Sequence, residues 1–376
     1  MTPRLNASLR RIVALAIKEL LAILKDRKSR IVLIGPPLLQ LIIFGYAATF
    51  DLNDIPVAVY NEDPSAASRE LVARVSGSPH FHLQANIEHD AQIAPLIDNK
   101  KALMVLHLGP NFSADLAHGG SSKAQVIIDG RNSNTALLVL GYLRNIITDY
   151  NIDWAQRHGR AKPLATLQVR PWFNSNLVSR WFVVPGIIGL LTLVITTIVT
   201  ALSVAREREA GTFDQLLVTP MRPFEILIGK AFPGILIGIL EGSFILLMAV
   251  YWFEVPLRGS LGALYVGMFL FVMAAVGIGL MISSLAVTQQ QGMLGAFLFI
   301  VPAVILSGFA TPISNMPEVI QYLTYIDPLR YFLVIIRGVF LEGDSYAILL
   351  NYYWPMALIA LVTLAMAGWL FRRRMN

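Results

Sequence analysis

Three groups of residues in this chain have types and spacings that could do chemistry. Glu241 is an acid inside an otherwise apolar run, Ala231 to Phe253, where a carboxylate could meet a cationic or polar cargo, convey a proton, or pin one helix to another. Gly229-Lys230 resembles the end of a phosphate-binding loop, but Ala231 follows and the upstream glycine is missing, so no Walker motif binds ATP here. His80, His82 and His89 could begin a metal site, because His-x-His on a strand directs both imidazoles to one face. No further clear ligand joins them, and solvated surface histidines are the simpler reading. There is no H-E-x-x-H, no G-x-S-x-G and no pair of acids on one predicted helix in a pocket-like context. Cysteine is absent, so neither a disulfide framework nor a thiolate metal site can form, and thiol usage says nothing about compartment.

The elements that must position these residues are mostly membrane helices. Of the 376 residues, 55% are apolar and 14% charged, and the mean hydropathy of +0.60 excludes an ordinary soluble enzyme. Residues 31–50, 181–205, 259–317 and 345–371 carry no charge at all. A bilayer core takes about 20 apolar helical residues, which predicts crossings at 31–50, 181–205, 231–253, 261–286, 293–309 and 346–370. The polar break Thr288-Gln289-Gln290-Gln291-Gly292 divides the longest run into two helices. A signal peptide is the alternative for the first run, but its apolar stretch is too long and no clear small-x-small cleavage site follows.

Lys and Arg flanking these runs predict their orientation. With the N-terminus inside, segments 1–30, 206–230, 287–292 and 371–376 hold 15 basic residues and six acids, against only Arg258, Arg330 and Arg337 in outer loops 254–260 and 310–345. The formal net charge of +6 therefore reflects membrane topology rather than nucleic-acid binding. Residues 51–180 hold 12 basic and 12 acidic residues and all six histidines, the balance of a water-soluble domain. Its pattern reads strand at 55–60, helix at 65–75, strand at 81–83, helix at 88–98, strands at 102–107 and 125–129, and a long helix from Ser133. The expected fold is thus an α-helical polytopic membrane protein with six transmembrane helices and an extracytoplasmic α/β domain inserted between helices 1 and 2. Residues 1–30, with apolar positions from Leu5 to Leu24 at three and four residue steps and basic residues between them, read as a cytoplasmic amphipathic helix in the membrane surface.

Two stretches rise above composition. Arg206-Glu207-Arg208-Glu209-Ala210-Gly211-Thr212-Phe213-Asp214-Gln215-Leu216-Leu217-Val218-Thr219-Pro220 leads on to Gly229-Lys230. Gly211 can end the incoming helix, Thr212 can cap a new one with Phe213, Leu216 and Leu217 on its apolar face, and Pro220 and Pro223 can end that. On periodicity alone, a capped helix that merely closes a loop is as good a reading as a functional one. The second stretch contains Thr311-Pro312, Met316-Pro317, Tyr325-Ile326-Asp327-Pro328-Leu329-Arg330-Tyr331 and Arg337-Gly338.

Together these stretches resemble the paired signatures of the type-2 permease family of ABC exporters, over the whole length of the chain and at matching topological positions. Asp327 stands where Asn is more usual, and either residue before proline suits a turn. The resemblance implies a transport subunit rather than an enzyme, binding no cofactor itself, with ATP and Mg held by a separate ABC ATPase subunit. Arg206, Glu207, Arg208, Glu209, Gly211, Thr212, Gln215, Leu216 and Pro220 would couple to that ATPase. A second permease chain, the same or similar, would complete the pathway in the bilayer. Residues 310–345, with Pro312, Pro317, Asp327, Pro328 and Arg330, would re-enter the membrane from outside. The inner membrane of a bacterium, both termini cytoplasmic, a periplasmic adaptor with an outer-membrane channel, and drug-like or amphiphilic cargo complete the expectation. An ion-gradient transporter using Glu241 would need more intramembrane acids, and a receptor or assembly platform leaves the 206–230 motif unexplained.

Overall fold

The computed structural model describes residues 3–25, 27–47, 52, 54–118, 120, 122–159, 172–174, 178–213 and 219–375. The chain divides into two compact units, Met1–Thr49 with Pro171–Asn376, and Phe50–Arg170. Each is described by itself.

In the smaller unit, β1 (Ile55–Asn61), β2 (Phe81–Ile87), β3 (Met104–Leu108) and β4 (Ala124–Ile128) form one sheet in the order β2-β1-β3-β4. β1 runs parallel to both β2 and β3, and β4 is antiparallel to β3. The two parallel connections each carry a helix, α3 (Ala66–Ser76) and α4 (Ile93–Asp98), as parallel pairing requires. Alternation along β1 sends Ile55 and Val57 to one core with Leu71, Val75 and Met104, and Ala58 to the opposite core with Ile93 and Val105. A one-turn helix that periodicity does not predict, α5 (Phe112–Ala117), anchors Phe112 in the first core. The long helix α6 (Ser133–Arg157) covers that core with Val139, Leu143 and Tyr150. Asp63, after β1, is only 4% exposed and accepts the amide N–H groups of Ser65 at 2.9 Å and Ser113 at 2.7 Å. Burial by itself would raise its pKa; the hydrogen bonds from Ser113 and Ser65 overcome that and draw it down to about 2.

The larger unit is helical. α1 (Pro3–Lys25) is followed by α2 (Arg27–Ala47), then α7 (Ser179–Glu209), α8 (Pro223–Tyr251), α9 (Leu261–Leu285), α10 (Gln289–Leu306), α11 (Glu318–Leu323), α12 (Pro328–Arg337) and α13 (Tyr346–Met375). Among the described residues, α7, α8, α9, α10 and α13 are each long and apolar enough to cross a bilayer. α2 begins at Arg27 and carries Pro36 and Pro37, and the uncharged apolar run of the first expected crossing starts on it at Ile31. Between α10 and α13 the chain is bent by 84° across Asp327, joining Glu318–Ile326 to Pro328–Glu342. The core lies where α7, α9, α12 and α13 meet, with Phe271 stacked on Phe332 at 4.4 Å. Small residues allow that close approach. A Cβ at Gly279 would meet the carbonyl of Thr197 at 2.8 Å, and one at Gly277 the backbone N of Leu364 at 2.9 Å.

α1 carries two apolar stripes. Leu15, Ala16, Glu19 and Ile23 are buried, while Leu9, Val13, Ile17, Leu21 and Leu24 form a second, exposed apolar stripe. The buried stripe packs on neighbouring helices, Leu15 beside Val204, Phe213, Ile226 and Phe371, and Ile23 beside Ile195 and Ile237.

Candidate functional site

Gly211 ends α7 in the manner its residue type allows. It takes the left-handed φ of 68°, and the N–H groups of Gly211 and Thr212 donate to the carbonyls of Arg208 and Glu207 at 3.1 and 3.0 Å. Phe213 then turns back into the core beneath Arg208, whose guanidinium lies 4.9 Å from the ring centre and donates to the carbonyls of Ser284 and Ala286 at 2.9 and 3.0 Å. Glu209 accepts the Gln289 N–H at 2.8 Å, placing a negative charge at the start of α10 where the helix dipole favours one. Gln215 and Leu216 lie outside the described residues.

Glu207 does not face outward as a residue poised for a partner would. It is 7% exposed, and its carboxylate lies 2.6 Å from the Lys230 ammonium and accepts from Lys18 at 2.6 Å. Lys230, 2% exposed, also donates to Glu19 at 3.1 Å. Two acids and two bases from α1, α7 and α8 thus alternate in a cluster in which Glu19, Glu207 and Lys230 are buried and Lys18 is half-exposed, the arrangement that makes desolvated charge tolerable. A second tie lies nearby. Glu225 accepts from Arg11 Nη2 at 2.7 Å and from the Arg222 N–H at 2.9 Å, closing the start of α8 against α1. Gly229 sits between these ties, where a Cβ would lie 2.6 Å from Leu15 Cδ2.

The motif therefore has two faces. Glu207, Lys230 and Gly229 look inward and grip α1; Arg206 is half-buried; Glu209, Gly211, Thr212 and Pro220, together with Arg222 and Phe224, remain exposed. Residue types alone missed Arg11, Lys18, Glu19 and Glu225. One signal was present, since Glu19 falls at helical spacing among the apolar positions Leu15, Ala16 and Ile23.

Glu241 stands on α8 at the wall of a cavity of about 600 Å³, lined by Leu20 and Leu24 of α1, Pro37, Leu38 and Leu41 of α2, and Leu236, Leu240, Phe244 and other apolar residues of α8. Both carboxylate oxygens are buried and have no hydrogen-bond partner among the described residues. Ser243 does not supply one: its hydroxyl donates to the Ile239 carbonyl at 2.7 Å and accepts from Tyr265 at 2.8 Å.

At the bend, Asp327 caps α12 by accepting the Leu329 N–H at 3.0 Å, with Pro328 in the first turn, where a missing N–H costs nothing. Pro312 and Pro317 precede the short turns Ile313–Asn315 and Glu318–Leu323. Arg330 bonds Thr324 and lies 4.2 Å from the Tyr325 ring centre.

A helical unit with several helices able to cross a bilayer, its polar motifs tying those helices together, and an α/β unit define a polytopic membrane protein. Residues 27–369 match the family model described as ABC-2 family transporter protein, and the chain belongs to that family. It is 39% identical over 358 residues to the probable multidrug ABC transporter permease YbhR of Escherichia coli K12, covering 95% of this chain and 97% of that protein. It is 35% identical to the probable multidrug ABC transporter permease YbhS of the same strain, with 90% of each chain covered. With the inner membrane transport permease YhhJ it shares 30% identity over 93% of this chain and 92% of that one. The chain is a permease subunit of an ABC exporter, and membership implies a partner ATPase and a permease dimer.

Proposed function

We propose that this permease exports drug-like, amphiphilic cations, which enter the apolar cavity beside Glu241 and leave under the drive of ATP hydrolysed, with Mg, in the partner ATPase. The observation that carries this reading is the buried, unpartnered Glu241 carboxylate among leucines of three helices. A carboxylate so placed is costly unless something meets it, and a cation with an apolar body meets both the charge and the walls. Two relatives named as probable multidrug ABC transporter permeases agree with such a cargo.

In this reading the ATPase docks on the exposed residues Glu209, Gly211, Thr212, Pro220, Arg222 and Phe224. Movement there is carried inward because Arg208, Glu209 and the Glu207-Lys230-Glu19 cluster hold α1, α7, α8 and the start of α10 together at that end. The basic flanks put both termini in the cytoplasm and residues 51–180 outside, in a bacterial inner membrane. α2 and the bent α11–α12 segment complete the passage through the bilayer. The outer α/β unit hands cargo to a periplasmic adaptor and outer-membrane channel.

Glu241→Gln tests the cargo assignment, since it keeps size and hydrogen bonding but cannot ionise. Export of a cationic amphiphile by the complex should fall about tenfold, the worth of one lost charge-assisted contact, with export of a neutral amphiphile and dimer yield unchanged. Wild-type export of both compounds would remove Glu241 from the pathway.

A further inference from the structure

The motif Arg337-Gly338 takes no part in the reading above, and its arginine is in an unusual position. The Nε and Nη2 atoms of Arg337 are buried and have no hydrogen-bond partner among the described residues. The guanidinium lies 3.9 Å from the ring centre of Phe182, which offsets only part of the lost hydration. Arg337 lines a cavity of about 560 Å³ together with Arg330, Tyr325, Asn351, Tyr352, Trp354 and other residues of α12, α13 and the segment between α10 and α12. Among the described residues that line it, none is acidic. Arg330 is already held by Thr324 and Tyr325, and the Asp327 carboxylate nearby caps α12. Arg337 is thus a donor without an acceptor, in a cavity of positive charge.

We propose that this cavity holds the phosphate of an anionic phospholipid headgroup, with Arg337 as its principal donor. Charge complementarity selects the headgroup, since a planar guanidinium with unused donors at Nε and Nη2 matches phosphate oxygens. The shape selects a lipid over a free anion. Arg330, Arg337 and Asn351 make one part of the lining polar, while Leu333, Val334, Pro355 and Trp354 make the rest apolar, and Val334 and Trp354 are exposed on the surface of the unit. Tyr325, Tyr352 and Trp354 are the residue types that sit at headgroup level. A headgroup there would also cover the irregular backbone around the 84° bend, which is tolerable at membrane depth only when it is covered or wetted.

The test uses the full chain purified in neutral detergent, titrated with phosphatidylglycerol, phosphatidylcholine or inorganic phosphate, and read by native mass spectrometry and thermal unfolding. Wild type should bind phosphatidylglycerol at least about tenfold more tightly than phosphatidylcholine, the scale of one charge-assisted contact. Arg337→Met should lose that preference, yet be no less stable than wild type without lipid, because it removes an uncompensated cation; Arg337→Lys should retain part of the preference. A structural role for Arg337 predicts the reverse stability result. Equal wild-type binding of the two lipids sinks the proposal without recourse to any variant. So would a preference that survives in Arg337→Met, or stabilisation by millimolar phosphate equal to that by phosphatidylglycerol.

Discussion

The Glu207 carboxylate lies 2.6 Å from the Lys230 ammonium, so the two ends of the 206–230 motif are joined inside the protein. Glu19 shares that lysine at 3.1 Å, which makes α1 a third party to the pair.

The pair predicts an asymmetric mutational result. Lys230→Met leaves Glu207 and Glu19 buried with only the half-exposed Lys18 between them, and should cost about 3 kcal/mol or more. Combining it with Glu207→Gln restores neutrality around Lys18 and Glu19 and should recover most of that loss. Thermal unfolding of the purified variants in detergent measures both; additive losses would show that the cluster does not act as one unit.

Gly211 and Gly229 should fail for different reasons. A Cβ at Gly211 meets nothing within 4 Å, so Gly211→Ala should cost only the left-handed backbone, about 1 kcal/mol, and leave α1 in place. Gly229→Val drives atoms into Leu15 and should release α1, seen as faster proteolysis within residues 3–25 and loss of coupled ATPase activity. Equal protection of α1 in both variants would refute the distinction.

Asp63 predicts an acid dependence confined to the α/β unit. Its pKa is drawn from 3.8 to about 2 in the folded state, so the ionised form stabilises the fold above pH 4, and that contribution, about 2 kcal/mol, disappears as pH falls from 4 to 2. Asp63→Asn should lower stability at pH 7 by a similar amount and flatten this part of the pH profile. Hydrogen exchange of the β1 and β3 amides in the full chain, followed from pH 7 downward, reads the difference.

The proposed orientation is testable because the chain has no cysteine of its own. Single cysteines at the exposed positions Ser76 and Thr212 should differ in intact cells, Ser76→Cys reacting with an impermeant maleimide once the outer membrane is opened and Thr212→Cys reacting only after lysis. The opposite pattern would invert the topology.

What could be read in advance depended on neighbours close in the chain. Charge-free runs marked α7, α9, α10 and α13, and a run broken only by Glu241 marked α8, because bilayer thickness sets a minimum apolar length. Alternating and helical periods located β1, β3, β4, α3 and α6, while α5, a single turn, was too short to show a period. The stop at Gly211 and the Asp327-Pro328 cap were legible because capping involves residues two to four apart. Tertiary structure alone decided the rest. Glu207, which the family resemblance put among the ATPase-coupling residues, is turned inward by partners such as Lys18, 189 residues away. Glu241 acquires its cavity from leucines on α1 and α2 as well as α8, and Arg337 its isolation from residues of α13 and the segment that follows α10. Local composition specifies where helices begin and end. Whether a charge on one of them is paired, solvated or stranded depends on which faces meet, and that is settled only when the helices pack.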